Sequence, residues 1–242
     1  MTLALAIRAA DGLVLASDSR VTSPRGETRD TSEKFLQVSR DVGVMTYGIA
    51  APGYAGITRL VNETKINQYS TFDQIIESAS KVFKSEFEEW LNKTQEIPED
   101  VKPRVRQGSG SLGFVIAGYD DVKTKQFRIV SYEAPTFQIQ EIVASPIFAA
   151  AQWHIAQYLV EVTYYPEISV KQLCNLAVFV FLETTTVETT VGGPIQLAIV
   201  TKSQGYQRLH DDDIQRIIEN VQGQICSFRT ELLGVAKAIC MA

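Results

Sequence analysis

The chain has 242 residues, enough for one large domain or two small ones and for a substantial apolar core without disulfide staples. Hydrophobic residues at 45% and charged residues at 21% exclude a disordered or fibrous chain. A net charge of -5, from 28 acidic against 23 basic residues with no basic run, argues against nucleic acid as a partner.

The opening, MTLALAIRAADGLVLASDSR, does not read as a secretion signal, because Arg8 and Asp11 interrupt its apolar run; a cytoplasmic protein is expected. Residues 2–8 and 13–18 are aliphatic and flank Asp11-Gly12, a strong hairpin signal. Folding back at that turn brings Asp18 close to Thr2 at one end of the sheet.

A polar loop at residues 22–33 leads into KFLQVS and VGVMTYGIA, a second strand pair that ends in the small-residue turn GIAAPG. Residues 52–67 and 71–93 carry apolar residues at helical spacing, with Thr71 placed to cap the second helix. After a loop at residues 96–111, strands are expected at LGFVIAGYD, QFRIVSYEA and TFQIQEIV, and helices at residues 146–162 and 170–184. Pro146 suits the first turn of the earlier helix.

Gly192-Gly193 then breaks the pattern before a last hairpin, PIQLAIVTK and GYQRLH, and a final helix opening on the acidic residues 211–213. That acidic cluster complements a helix dipole more simply than it ligates a metal. The longest apolar stretch, LAVFVFL at residues 176–182, falls far short of a bilayer span of ~20 residues, so no membrane partner is expected. Cys174, Cys226 and Cys240 have no metal-ligand spacing and read as core thiols in a reducing compartment. Neither cofactor nor metal is expected.

Without a flexible linker, residues 2–242 read as one domain. Strand runs alternating with helix pairs suggest two packed antiparallel sheets covered by helices, an α+β fold with an αββα sandwich.

TLALAIRAADGLVLASDSR resembles the amino terminus of mature proteasome β subunits and their bacterial homologues, the N-terminal-nucleophile (Ntn) hydrolases with a threonine nucleophile. The similarity continues through EKFLQVS, VMTYGIAA, LGFVIAGYD and VGGPIQLAIVTKSQGYQRL, in order along most of the chain. The resemblance implies the four-layer αββα fold and a threonine peptidase. Its catalytic set falls on Thr2, Asp18 and Lys34, at the family's spacings of 16 and 32 residues, with Gly48 as the backbone oxyanion donor.

That set has its own chemical logic. A threonine hydroxyl needs a base, and a free α-amino group, with a reference pKa of about 7.7–8.0, can act as one. The mechanism therefore requires loss of Met1, which methionine aminopeptidases remove ahead of a small residue. A lysine ammonium nearby lowers the pKa of amine and hydroxyl, and Asp18 holds the lysine by a charge-assisted hydrogen bond. Lys34 is then an electrostatic helper or a proton relay. Taken singly, a Met-Thr start, a strand-end aspartate and a lysine before a strand are ordinary structural features. Their common register with Gly48 is what argues for chemistry.

The remainder of the family's site departs from pattern. GSGS at residues 108–111 precedes LGFVIAGYD, whereas the family's serine turn follows a later hairpin and opens the third helix; VASPIFA is then the equivalent segment, with Ser145 as nearest hydroxyl, shifted by one. In VETTVGG, Glu188 falls on the family's aspartate and Val191 on its serine, unless Thr189 or Thr190 supplies a hydroxyl. His154 and His210 lack triad partners and read as structural. Arg20 is a candidate support for Lys34 or Asp18.

The resemblance implies a peptide or protein substrate, a homo-oligomeric ring or open ring, and an ATP-dependent unfoldase as a docking partner. Two alternatives stand beside the peptidase. One is an Ntn amidase, transpeptidase or ligase with a narrow substrate. The other is a silent scaffold subunit like proteasome α subunits, which carry an extension ahead of the first strand that is not expected here.

Overall fold

A computed structural model describes residues 3–22, 28–30, 32–95, 97–107, 112–151 and 153–240. In chain order the elements are β1 (Leu3–Arg8), β2 (Gly12–Asp18), β3 (Val21–Thr22), β4 (Thr28–Arg29), β5 (Phe35–Ser39) and β6 (Val42–Gly48), followed by α1 (Ala50–Asn67), α2 (Phe72–Lys93) and α3 (Lys102–Gln107). Then come β7 (Leu112–Asp120), β8 (Gln126–Glu133), β9 (Gln140–Glu141), β10 (Ile147–Ala151), α4 (Trp153–Thr163), α5 (Val170–Val187), β11 (Ile195–Thr201), β12 (Gly205–Arg208) and α6 (Asp211–Cys240).

Two five-stranded antiparallel sheets carry the fold, ordered β10-β1-β2-β11-β12 and β5-β6-β7-β8-β9. Period-two alternation decides which layer each side chain enters. In β1, Leu3, Leu5 and Ile7 face the core beneath α4, α5 and α6, while Ala4 and Ala6 face the other sheet. In β7, Phe114 and Ile116 meet α1 and α2, while Val115 and Ala117 face inward. Small inward residues let the sheets approach, and β2 and β7 are buried along their whole length because both faces are covered. The α+β sandwich expected from the element order is the observed architecture.

Local signals explain several boundaries. Thr71 and Gln74 form a capping box at the start of α2, and Ser169 and Gln172 form another at α5. Asp11 in the first hairpin turn accepts a hydrogen bond from the Val170 N–H at 2.7 Å, tying that turn to α5.

The structure corrects the sequence expectations in several places. Residues 147–151 are strand β10, paired with β1, so the helix expected from residue 146 begins only at Trp153. An alanine-rich run of this length satisfies either period, and the open edge of β1 decides it. The strand expected over residues 136–143 shrinks to β9, because Phe137 takes a left-handed φ of 50° in a turn closed by its N–H to Glu133 O. The small-residue turn GIAAPG becomes the first turn of α1, and the loop after residue 96 contains α3. Of the expected core thiols, Cys174 is buried, with burial pushing its thiol up to about 12, but Cys226 is exposed.

α5 has 18 residues and a mean hydropathy of 1.2, which by length and composition alone would suffice to cross a membrane. Here Leu173, Ala177, Val178 and Phe181 pack it onto the first sheet.

Candidate active site

The hairpin register pairs Ala4 with Ser17, which sets Leu3 opposite Asp18, the last residue of β2. Asp18 also pairs with Ile195 of β11, so it ends a strand flanked on both sides and is 1% exposed. Its Oδ1 accepts the Leu3 N–H at 3.1 Å, a bond made by the peptide link between Thr2 and Leu3. Met1 and Thr2 themselves lie outside the described residues, as do Ser109 and Ser111 of the GSGS segment.

Lys34, 4% exposed, sits just before β5. Its ammonium donates to Asp18 Oδ1 at 2.8 Å and to the Arg20 carbonyl at 2.7 Å. The Asp18 carboxylate also accepts the Gly192 N–H at 3.3 Å on Oδ2. Three donors from three chain segments thus converge on one buried carboxylate. Burial pushes the Asp18 carboxyl above its ordinary value and the Lys34 ammonium below its own, and the attraction between them works against both shifts.

The lysine's backbone is fixed as well. Its N–H donates to Gln196 Oε1 at 3.2 Å, its carbonyl accepts the Thr46 N–H at 2.9 Å, and Gln196 Nε2 reaches the Ser32 carbonyl at 2.7 Å. Two residues beyond Thr46, Gly48 ends β6 with φ 88° and leads into α1. The helix opens at Ile49 without a side-chain cap, so the first-turn amides of Ala50 and Ala51 point their positive end toward the Gly48 junction. A backbone donor at a helix start suits a developing oxyanion.

The lower-ranked candidates fare differently. Ser145 precedes β10, and the register from Ile7↔Ile147 to Leu3↔Ala151 puts it at the Arg8 end of β1, roughly 20 Å from the Leu3 end. There its hydroxyl bonds the Ile147 backbone and its carbonyl accepts from Arg8. Ser145 is thereby removed from the Asp18 and Lys34 cluster, because the strand β10 intervenes before the helix it was expected to open. The segment that does lead into α4 reads Ala150-Ala151-Gln152-Trp153, with no hydroxyl.

Glu188 caps the end of α5 in the loop that delivers Gly192, but its carboxylate is taken up by the Thr190 hydroxyl at 2.8 Å. Val191 is 2% exposed among apolar residues. Arg20 serves Lys34 through its carbonyl and not its side chain, which pairs with Asp30 at 2.9 and 3.1 Å and holds the Thr189 carbonyl at 3.0 Å.

Sequence reasoning missed the Arg20 carbonyl, the Gly192 amide and Gln196. Backbone groups leave no mark in residue types. Gln196 did leave one, as a polar residue in the aliphatic run IQLAIVT.

Comparison with known proteins bears on the family and the fold. A family model described as Proteasome subunit matches residues 2–200. The chain is similar to the protein named proteasome subunit alpha of Methanopyrus kandleri (strain AV19), at 27% identity over 226 residues, covering 92% of this chain and 82% of that one. It is 37% identical over 75 residues to proteasome subunit alpha of Methanosarcina thermophila, covering 31% of this chain and 30% of that one. Among solved structures, a Gly-1 mutant of Anbu from Hyphomicrobium sp. strain MC1 is similar with a TM-score of 0.69 at 14% identity, over 95% of this chain and 97% of that one. At that identity the likeness is one of fold. Both relatives carry the name alpha, whereas a β-type subunit is the expectation from the opening hairpin.

Proposed function

The chain belongs to the proteasome subunit family, and from that premise we propose that it is a β-type threonine peptidase of the cytoplasm whose nucleophile is Thr2 after removal of Met1. The observation that carries this reading is the buried Lys34–Asp18 pair, hydrogen-bonded to the amide of the residue that follows Thr2. A merely structural chain end has no need of a desolvated ammonium.

In this mechanism the free α-amine of Thr2 takes the hydroxyl proton as the oxygen attacks the substrate carbonyl. The Lys34 ammonium favours the alkoxide character of that oxygen, and Asp18 with the Arg20 carbonyl holds the ammonium in place. The carbonyl oxygen becomes an oxyanion that accepts from the Gly48 N–H. The α-ammonium then protonates the departing amine, leaving an ester on Thr2 that water hydrolyses. Members of the family assemble into rings, and we extend this to a homo-oligomeric ring or open ring.

Intact mass and an epoxyketone-type probe on one purified sample test the proposal. A mass lacking Met1 and a single probe adduct lost in Thr2→Ala are expected; a retained Met1 overturns it. The alpha name of the relatives favours a second reading, a silent scaffold subunit, which absence of labelling on a chain that starts at Thr2 would support.

A further inference from the structure

We propose that Tyr47 and Glu133 form a buried brace that aims the Gly48 N–H, making both positioning residues for the oxyanion donor; this rests on the peptidase reading above. Tyr47 immediately precedes Gly48, so the peptide plane that carries the Gly48 N–H turns with the Tyr47 backbone. Anything that fixes Tyr47 fixes the direction of that donor.

Tyr47 is held from three sides. Its ring lies in the layer between the sheets, tilted against Phe148 of β10 at 6.0 Å between centroids. Its hydroxyl donates to Glu133 Oε1 at 2.8 Å. The register aligns Tyr47, Gly113 and Glu133 across three adjacent strands, so the tyrosine side chain, meeting that of Glu133 partway, bridges two strand spacings, about 9.5 Å. It does so by crossing directly over Gly113, where an added Cβ would lie 2.1 Å from the ring Cζ and 2.2 Å from the hydroxyl. From the opposite face Thr46 Oγ1 donates to the Gly113 carbonyl at 3.2 Å. Both residues ahead of Gly48 are therefore tied to Gly113.

Packing alone does not account for this arrangement. Phenylalanine would fill the same layer, yet a phenol is present and a carboxylate is brought to meet it. Among the described residues Glu133 makes no ion pair, and its half-buried carboxyl group accepts the Tyr47 hydroxyl. Burial, and then Glu133, push the phenol well above its ordinary value, so it stays protonated and keeps donating.

The test uses the full chain and a fluorogenic peptide, with a peptide aldehyde and the matching peptide alcohol as inhibitors. The aldehyde adduct carries the tetrahedral oxygen that Gly48 would bind, and the alcohol does not. Tyr47→Phe is expected to lower kcat by about 10-fold, less than outright loss of an oxyanion donor, with KM within about 2-fold. It should weaken the aldehyde by the same factor and leave the alcohol unchanged. Glu133→Ala should reproduce this loss, and Glu133→Gln, which still accepts the phenol, should restore activity to within about 2-fold of wild type. Wild-type kcat and aldehyde affinity in Tyr47→Phe and Glu133→Ala, or equal weakening of aldehyde and alcohol, overturns the brace while leaving the peptidase reading intact. A wild-type chain that neither cleaves peptide nor labels at Thr2 overturns both. If Tyr47→Phe melts early, the Glu133→Ala and Glu133→Gln comparison decides alone.

Discussion

Lys34 Nζ lies 2.8 Å from Asp18 Oδ1, with the lysine side chain 5% and the aspartate side chain 1% exposed. A pair so deeply buried is weak evidence for stability, because desolvating both ions offsets their attraction. Its value lies in where it sits: the carboxylate also takes the amide that joins Leu3 to Thr2, so the ammonium is held at the start of the first strand.

Removing one ion is therefore expected to cost far more than removing both. Lys34→Ala leaves Asp18 buried without its cation and should destabilise the fold by about 3–5 kcal/mol, whereas the double variant Lys34→Met with Asp18→Asn should recover most of that loss. Every one of these variants should lose probe labelling at Thr2. Urea unfolding alongside labelling measures the two effects separately, and a double variant as unstable as Lys34→Ala contradicts the account.

The pH dependence of peptide cleavage should be narrowed from both sides. Asp18 must be ionised to hold the ammonium, and burial raises its carboxyl above the ordinary 3.8, so the acid limb lies above that value. Lys34 must be protonated to act as a cation, and burial lowers it below the ordinary 10.5, so the alkaline limb lies below that value. The pair titrates as a unit, and in kcat the Thr2 α-amine, which must be neutral to act as base and has a reference pKa of about 7.7–8.0, adds an acid limb of its own. Because that amine sets the acid side, the alkaline side is the one that reports on Lys34: a kcat profile measured to pH 11 that stays flat up to 10.5 excludes this linkage.

Much of this was legible in the residues. The position of the Asp11-Gly12 turn predicts that folding back brings Asp18 toward the first residues of the chain, and the register, with Ala4 opposite Ser17, sets Asp18 at the Leu3 end of β1; Thr2 itself lies outside the described residues. Ser145 was misplaced because Ile147–Ala151, read without neighbours, fits a helix as well as a strand, and only the unpaired edge of β1 selects the strand. The Arg20 carbonyl and Gly192 amide were invisible for a simpler reason: every residue has such groups, and only the fold says which ones point at a carboxylate.

The loop that presents Gly192 depends on Gly193. At φ +77° that residue is strained for any side chain, and a Cβ would meet Ser19 Oγ at 2.6 Å and Asp30 at 2.9 Å. Gly193→Ala should lower stability by about 1–3 kcal/mol and slow labelling at Thr2 as the Gly192 N–H is drawn off Asp18. Gly223, exposed within α6 with nothing within 4 Å of an added Cβ, supplies the opposite sign. Gly223→Ala should gain about 0.5–1 kcal/mol with labelling unchanged, as thermal melts and probe kinetics would show.

Arg128 separates folding from chemistry. It joins Asp120 of β7 at 3.1 Å, Asp73 of α2 at 2.7 Å and Glu141 of β9 at 2.7 Å, with its side chain 9% and that of Asp120 3% exposed. Burial works to raise the Asp120 carboxyl, but bonds from the Lys123 and Thr124 backbone, the Thr124 hydroxyl and Arg128 outweigh it and hold the group below its ordinary value. A depressed folded pKa means that this contribution is fully present above the ordinary 3.8 and is lost as pH falls through the lower folded value. Arg128→Met strips the cation from Asp120 and should cost about 3 kcal/mol at neutral pH. The register sets Gly118 opposite Val42 and Leu112 opposite Gly48, so the cluster lies at the far end of β7, roughly 20 Å from the Gly48 junction. Peptide cleavage at temperatures where the variant stays folded should therefore match wild type. A fall in kcat without a fall in stability would place Arg128 in the chemistry and contradict this division of labour.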